Sequence, residues 1–281
     1  MNEENWSLII KPKRKLFEIP IREIIRYRDL IFLLVKRDFT TQYKQTILGP
    51  LWFVISPLLS TVIYTFIFGR LANIGTDGIP HTLFYFSGTI LWNFFSGCFN
   101  DSCNVFITNA NIFGKVYFPR MVVPINYVLS HSIKAFIQFL MLVIIFIYFI
   151  VTGFSIHTSW LMVFFPLVFI WLSVIAIGGG IIVSSLTTKY RDLRNLVSFA
   201  LNLGMYATPV VYPISQIPER FRWIAYVNPV SAPIELFRKW FFGVSSIDTK
   251  TIFISLGVTV ILIFTGLILF NQNEQNFIDV I

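Results

Sequence analysis

RYRDLIFLLVKRDFTTQYKQTILGPLWFVISPLLSTVIYTFIFG, from Arg26 to Gly69, joins two kinds of helix in one stretch of chain. The pattern of the first kind begins slightly upstream, at Ile21. Ile24, Ile31, Leu34 and Val35 recur at helical spacing, while Arg22, Arg26, Arg28, Lys36, Arg37, Asp38 and Lys44 make the remainder polar. The longest unbroken apolar piece, Leu30 to Val35, is too short to span a bilayer. This predicts an amphipathic helix over Ile21–Leu48, lying in the headgroup plane as one helix or as two with a bend. The second half differs: from Gln45 no charged side chain occurs before Arg70. A helix needs about 20 apolar residues to cross the hydrocarbon core, so this run spans. Trp52 is placed as an interfacial anchor, and Pro57 predicts a kink. Only Gly49-Pro50 separates the surface element from the spanning one.

Composition supports a membrane protein. Of 281 residues, 56% are hydrophobic and 13% charged, with a mean hydropathy of +0.72. Soluble domains carry about 25% charged residues, and so few charges could not cover a soluble surface. The net charge of +8 would suggest nucleic acid in a soluble protein. Here the basic residues cluster at the ends of apolar runs, as topology signals do, and nucleic acid is not expected as a partner. Cys98 and Cys103 belong to no CxxC pair or Cys/His cluster, so they read as free buried thiols and no metal site is expected. The N-terminus lacks an apolar h-region and a cleavage site, which argues against a signal peptide.

In chain order, Met1–Pro20 is a basic tail, either near anionic headgroups or solvated. Spans are expected at Gly49–Gly69, His81–Cys98, Met121–Val151, Ser159–Ser185, Leu196–Val211 (interrupted by Pro209) and Thr251–Phe270. The third would reach about 45 Å, longer than a hydrocarbon core of about 30 Å, so its first turns should project from the membrane. Its one charge, Lys134, then snorkels or faces an aqueous cavity. Gly178-Gly179-Gly180 serves either close helix packing or a hinge. Tyr212–Lys250 carries Pro213, Pro218, Pro229 and Pro233. Its short amphipathic pieces, Ile217–Tyr226 and Ala232–Phe242, read as re-entrant or interface-lying helices, with a soluble loop as the alternative.

The expected fold is therefore all-α: a polytopic membrane protein with six transmembrane helices, an N-terminal amphipathic interface helix and short re-entrant helices before the last span. Residues 1–48 form the tail and interface helix, and residues 49–281 a single transmembrane domain. With six spans both termini share a side. That side holds fifteen Lys/Arg, against Arg70 plus five on the other, which places both termini in the cytoplasm.

Catalytic constellations are missing. There is no GxxxxGK[ST], HExxH or GxSxG. The spans hold almost no carboxylates of the kind that couple secondary transport to ions, Asp101 falling at a helix end. What remains is a transport pathway powered from outside this polypeptide.

Three stretches carry a resemblance to a known family. KRDFTTQYKQTILGPLWFVISPLLSTVIYTFIFG, FPRMVVPINYVLS and TPVVYPISQIPERFRWIAYVNPVSAPIELFRKWFFG, with the Phe277–Ile281 ending, resemble the permease subunits of ABC-type exporters of cell-surface polysaccharide. The likeness is greatest to O-antigen (lipopolysaccharide) exporters. It implies a homodimer with two separate ATP-binding subunits, which would carry ATP and Mg; this chain would bind no cofactor and would not itself be an enzyme. The cargo would be an undecaprenyl-diphosphate-linked, O-antigen-like polysaccharide crossing the bacterial inner membrane. It also implies that Arg26–Tyr43 and Thr108–Tyr117 dock on the ATPase, near the loop Thr187–Asn195. The interface candidates are Arg26, Arg28, Lys36, Arg37, Asn109, Asn111, Phe113, Lys115 and Arg191. Lys134 has no counterpart in the family pattern.

A sugar chain offers C–H faces to aromatic rings, so a low-affinity, slippery lining is expected of aromatics. Candidates are Trp52, Tyr64, Tyr85, Trp92 and Phe95, each of which also fits a lipid-facing position. Arg220, Arg222 and Arg238 are candidates for binding lipid diphosphate, with ordinary headgroup contact as the alternative. Alternative readings are a related ABC permease for teichoic acid, capsule, another lipid or a drug; a membrane glycosyltransferase, which would need an acidic pair the spans do not offer; and a channel, which would lack the docking helix.

Overall fold

A computed structural model describes residues 21–44, 46–113, 118–154, 158–190, 192–245 and 247–276. The basic tail, Lys115, Arg191 and the Phe277–Ile281 ending lie outside the described residues. The surface segment forms two helices, α1 (Ile21–Arg26) and α2 (Arg28–Tyr43), bent at Tyr27. A short 3-10 turn over Gly49–Leu51 leads into α3 (Trp52–Tyr64), which continues as a π segment over Thr65–Leu71. Then follow α4 (His81–Cys103), the one-turn helices α5 (Val105–Thr108) and α6 (Ala110–Phe113), and α7 (Val122–Val151). α8 (Phe165–Lys189) is entered through a 3-10 turn at Trp160–Phe164 and followed by α9 (Leu193–Tyr206). The chain ends with α10 (Arg222–Val227), α11 (Ser231–Phe242) and α12 (Thr249–Asn276). No strand occurs among the described residues.

Among the described residues, four segments are long and apolar enough to cross a membrane: Gly49–Leu71, Val122–Val151, Trp160–Ser185 and Thr249–Asn271. The other two expected spans differ for separate reasons. α4 has the length but is more polar, because it is the central helix: α7, α8 and α3 pack around it, and Leu83 to Leu91 is buried residue after residue. A helix covered by protein need not be apolar toward lipid. α9 has 14 residues, about 21 Å, short of a core of about 30 Å.

The glycine triplet settles as a packing node. A Cβ on Gly178 would lie 2.9 Å from the Leu262 backbone of α12, and one on Gly180 would lie 2.5 Å from Ser102 of α4. Gly266 of α12 answers from the other side, its Cβ position 2.8 Å from the Gly178 carbonyl oxygen. Small residues let these backbones approach. Polar side chains add cross-ties: Trp171 Nε1 donates to Thr259 Oγ1 at 2.9 Å, and Thr187 Oγ1 to the Cys103 carbonyl at 2.7 Å.

Pro57, where a kink is expected, lies inside α3, which continues as helix to Tyr64; a departure from α geometry comes later, in the π segment. Proline has no N–H to give the carbonyl four residues back. That carbonyl, on Phe53, instead accepts from Gln138 Nε2 of α7 at 3.0 Å. In an apolar setting a freed backbone acceptor must find a partner, and here the partner ties α3 to α7.

Candidate functional site

The surface helix and the first loop come together as one platform. Ile31, Leu34 and Val35 of α2 share a second apolar core with Val105 and Phe106 of α5, the start of α7, Ile181 of α8 and Phe270 of α12. The outward side of α2 is mixed: Phe32 and Leu33 are exposed beside Lys36 and Arg37. Arg26, Arg28 and Lys36 are exposed as a docking surface requires; Arg28 has a loose contact with Asp29 at 3.7 Å. Arg37 pairs with Asp38 at 2.7 Å. Asn111 is exposed, and Phe113 is half-buried, packing on Phe106 and Phe118 beneath the Arg120 guanidinium. Asn109 is spent inside: its Nδ2 donates to the Val105 carbonyl and to Tyr127 Oη, at 2.9 and 2.7 Å. It holds the loop to α7 and has little left for a partner.

The joint from platform to α3 is aromatic. Tyr43, at the end of α2, meets Phe53 edge-on at 4.3 Å, and Phe39 lies 5.6 Å from the same ring. Burial against these rings pushes the Tyr43 hydroxyl up to about 12, so it stays protonated at neutral pH. Gly49 takes the turn between them at φ 51°, a left-handed conformation that favours glycine.

The five lining candidates fall into three places. Trp52 is exposed near the joint. Tyr64 stacks toward Phe68 and Tyr85 where α3 meets the start of α4, and its hydroxyl reaches Met205 Sδ of α9 at 3.7 Å. Tyr85 is fully buried there. Trp92 and Phe95, 5.4 Å apart, line a groove of about 590 Å³ between α9 and the α4–α8 pair. Gly204 of α9 lies against Trp92, 3.3 Å from a Cβ position. Leu196, Phe199, Leu203 and Tyr206 form an exposed stripe on the outer side of α9. Four of the five thus stand near α9, inside one chain.

The three arginines separate as well. Arg220 is exposed and stacks on Phe221 at 4.7 Å. Arg222 gives Nε to the Ile217 carbonyl at 3.0 Å. Arg238 is enclosed and does not offer its charge to a ligand, which corrects its expected role. Its guanidinium lies 3.6 Å over the Phe84 ring. Nη1 donates to Glu235 Oε1 at 2.9 Å and to the Pro209 carbonyl; Nη2 donates to the Val210 and Phe84 carbonyls at 2.9 and 3.3 Å. Glu235 also accepts from Ser245 at 3.1 Å. Burial pushes the Glu235 carboxyl up from its ordinary value, and the guanidinium draws it back. Gly88 makes the room: its Cβ position lies 2.7 Å from Arg238 Nη2. One side chain so fastens the chain after α9 to both α4 and α11.

Sequence reasoning missed Glu235, Gln138 and the polar contacts at the other end of α4. There Asn126 Nδ2 donates to Asp38 Oδ2 at 2.7 Å, and His131 Nε2 meets Asp101 Oδ2 at 2.8 Å. The spacing of Glu235 and Arg238 by one helical turn was a usable signal; the Gln138 contact had none.

Residues 29–242 match the ABC-2 type transporter family. An O-antigen export system permease protein RfbA of Klebsiella pneumoniae is 32% identical over 90% of this chain and 95% of its own. The protein of that name from Myxococcus xanthus is 26% identical, covering 92% and 98%. The polysialic acid transport protein KpsM of Escherichia coli is 22% identical, covering 85% and 91%.

Proposed function

We propose a function from one fact: the chain belongs to the ABC-2 type transporter family. It is a membrane permease, and we read it as the channel-forming subunit of an ATP-driven exporter of cell-surface polysaccharide, O-antigen-like in kind. The carrying observation is identity of 32% to an O-antigen export permease, sustained over 90% of this chain. The cargo is an undecaprenyl-diphosphate-linked glycan moved outward across the bacterial inner membrane, with both termini cytoplasmic. In this reading α4 and α9 complete six spans, and α10–α11 are re-entrant elements at the exit.

ATP and Mg belong to two partner subunits. Arg26, Arg28, Lys36, Arg37, Asn111 and Phe113 receive them on the platform; Lys115 and Arg191, outside the described residues, are added as contacts from sequence position alone. Its shared core gives α2 and the α5–α6 loop one rigid body, so a push on either moves the start of α7 as well as Gly49. The chain acts as a homodimer. The groove lined by Trp92 and Phe95 is walled on its far side by α9 of the same chain, and the second copy is placed against the exposed stripe on the outer side of α9. Trp52, Tyr64, Trp92 and Phe95 are the proposed path; Tyr85, fully buried, backs Tyr64 instead of lining it. Arg220 is the remaining diphosphate candidate with an open guanidinium, and Arg222 a weaker one.

Deletion of the gene tests this. Surface glycan should disappear, lipid-linked glycan should accumulate inside, and the intact chain should restore export and co-purify with an ATP-binding subunit. Unchanged surface glycan would refute the reading and favour a permease for another lipid.

A further inference from the structure

α4 carries a polar row that the packing leaves open. Asn93, Ser96, Asn100 and Asn104 fall within a sector about 80° wide, counting about 100° per residue. The other sides of the helix are covered. Ser102, on the far side, meets Gly180 of α8; Gly97 lies against His131 of α7; Trp92 and Phe95 border the α9 groove. Asn93 is exposed between buried Trp92 and buried Phe94, while Ser96, Asn100 and Asn104 are half-buried. In the other half of α4, Phe86 and Thr89 continue the row and are buried. The row is thus open from Asn93 toward the platform.

Asn93 stands near the middle of a 23-residue helix. That helix packs against α3, α7 and α8, which belong to three of the spanning segments, so Asn93 lies at membrane depth. Among the described residues nothing pairs with the side-chain amides of Asn93 and Asn100. Ser96 Oγ gives its hydrogen to the Asn93 carbonyl at 3.4 Å and keeps its capacity to accept. Asn104 Nδ2 donates to the Asn100 carbonyl at 2.8 Å, and its buried Oδ1 is left without a donor. An amide held against lipid tails is costly; polar side chains at this depth face the bundle interior or water. The row itself bears no charge. The charges nearby are gathered elsewhere: Asp101, His131 and Lys134 face a polar cavity of about 200 Å³ between α2, α4 and α7.

We propose that this row is a hydrogen-bonding rail for the hydroxyls of a passing glycan; the proposal rests on the export function given above. Carboxamides both donate and accept, as sugar hydroxyls do, so the match does not depend on which hydroxyl arrives. An uncharged row complements an uncharged polyol. It offers no counter-charge to an ion, and its amides disfavour a hydrocarbon chain. Successive members stand about 4.5–6 Å apart along the axis, so one contact forms as another breaks. Each neutral hydrogen bond is modest in net worth, which suits a cargo that must keep moving. α3 and α9, both in contact with α4, carry exposed apolar side chains, among them Val62, Phe66, Phe199 and Leu203. A second copy seated on those apolar surfaces shields the row from lipid and leaves it wet.

Cysteine substitution in the full-length protein, in membrane fragments open to both sides, tests whether the row is wet. Cys98 and Cys103 are both buried, so wild type supplies the blank. A thiol reacts as the thiolate, which needs water, so N93C and N100C should react with a charged maleimide at least about tenfold faster than I144C. Ile144 is an exposed apolar residue of α7. Export tests the rail itself. N93L and N100L should each slow glycan export about fivefold, the worth of roughly one hydrogen bond, and N93Q, which keeps the amide, should restore most of it. Rates are taken per folded complex, so a folding loss does not imitate the effect. Equal reactivity of N93C and I144C would overturn the rail, and so would N93L and N100L exporting like wild type. An N93C that resists the reagent and cross-links to its counterpart would make the row a contact between copies, which also overturns it. Failure of the rail alone leaves wild-type export intact; a wild-type chain that exports no glycan defeats the export function, and the rail with it.

Discussion

Arg238–Glu235 and Arg37–Asp38 are arginine–carboxylate contacts of nearly equal length, 2.9 and 2.7 Å. They lie toward opposite ends of α4, near Phe84 and near Asp101, about 26 Å apart at 1.5 Å per residue. Their surroundings differ more than their geometry. The first pair's side chains are 1% and 3% exposed, the second's 42% and 26%. A buried pair cannot open without stranding a charge, so it is a permanent fastening. An exposed pair costs little to open, so it suits a surface that must yield to a partner. The same residue types thus hold one end of the bundle fixed and leave the other free to rearrange.

The largest effect should come from Arg238→Met, which strands the Glu235 carboxylate and three backbone carbonyls. We expect a loss of about 3–5 kcal/mol, read as a fall in thermal stability and folded yield in detergent. Combining it with Glu235→Leu should recover much of that loss. A double variant no better than the single would place the cost in the carbonyls rather than the charge. Gln138→Leu comes next, because it leaves the Phe53 carbonyl without a donor beside a proline: about 1–3 kcal/mol by the same measurement. Arg37→Glu should be smallest in stability, below about 1 kcal/mol, yet should abolish co-purification with the ATP-binding subunit. A large drop in stability there would erase the contrast between the two ends. Trp92→Ala should slow glycan export while leaving the complex assembled, measured as surface glycan per purified complex.

What the sequence revealed follows from where local physics decides. The surface helix and four of the apolar spans follow from spacing and charge and were legible; the position of the break at Tyr27 was not. α4 was legible as a helix, but its central place was not, since Ser87 and Thr89 are buried only because other helices cover them. Arg238 looked like a free cation because its neighbours Phe84, Gly88 and Pro209 are remote in sequence. Pro57 announced a local defect; its remedy, Gln138, lies 81 positions on and carried no signal. Lys134 stood out as the lone charge of an apolar helix, and the structure gives it a cavity to face.

The π segment Thr65–Leu71 has a consequence for residue counting. Its backbone closes one residue wider than an α turn, as in the bond from Ala72 N–H to the Ile67 carbonyl. The seam therefore absorbs a residue and turns the faces on its two sides relative to each other, as a vernier offsets two scales. Deleting a residue within Thr65–Leu71 would let the helix reclose with ordinary periodicity. Deleting one within Trp52–Tyr64 would rotate every side chain between it and the joint, including Phe53 and its bond to α7. The span is thus marked off into a stretch whose register is fixed and one that carries the slack.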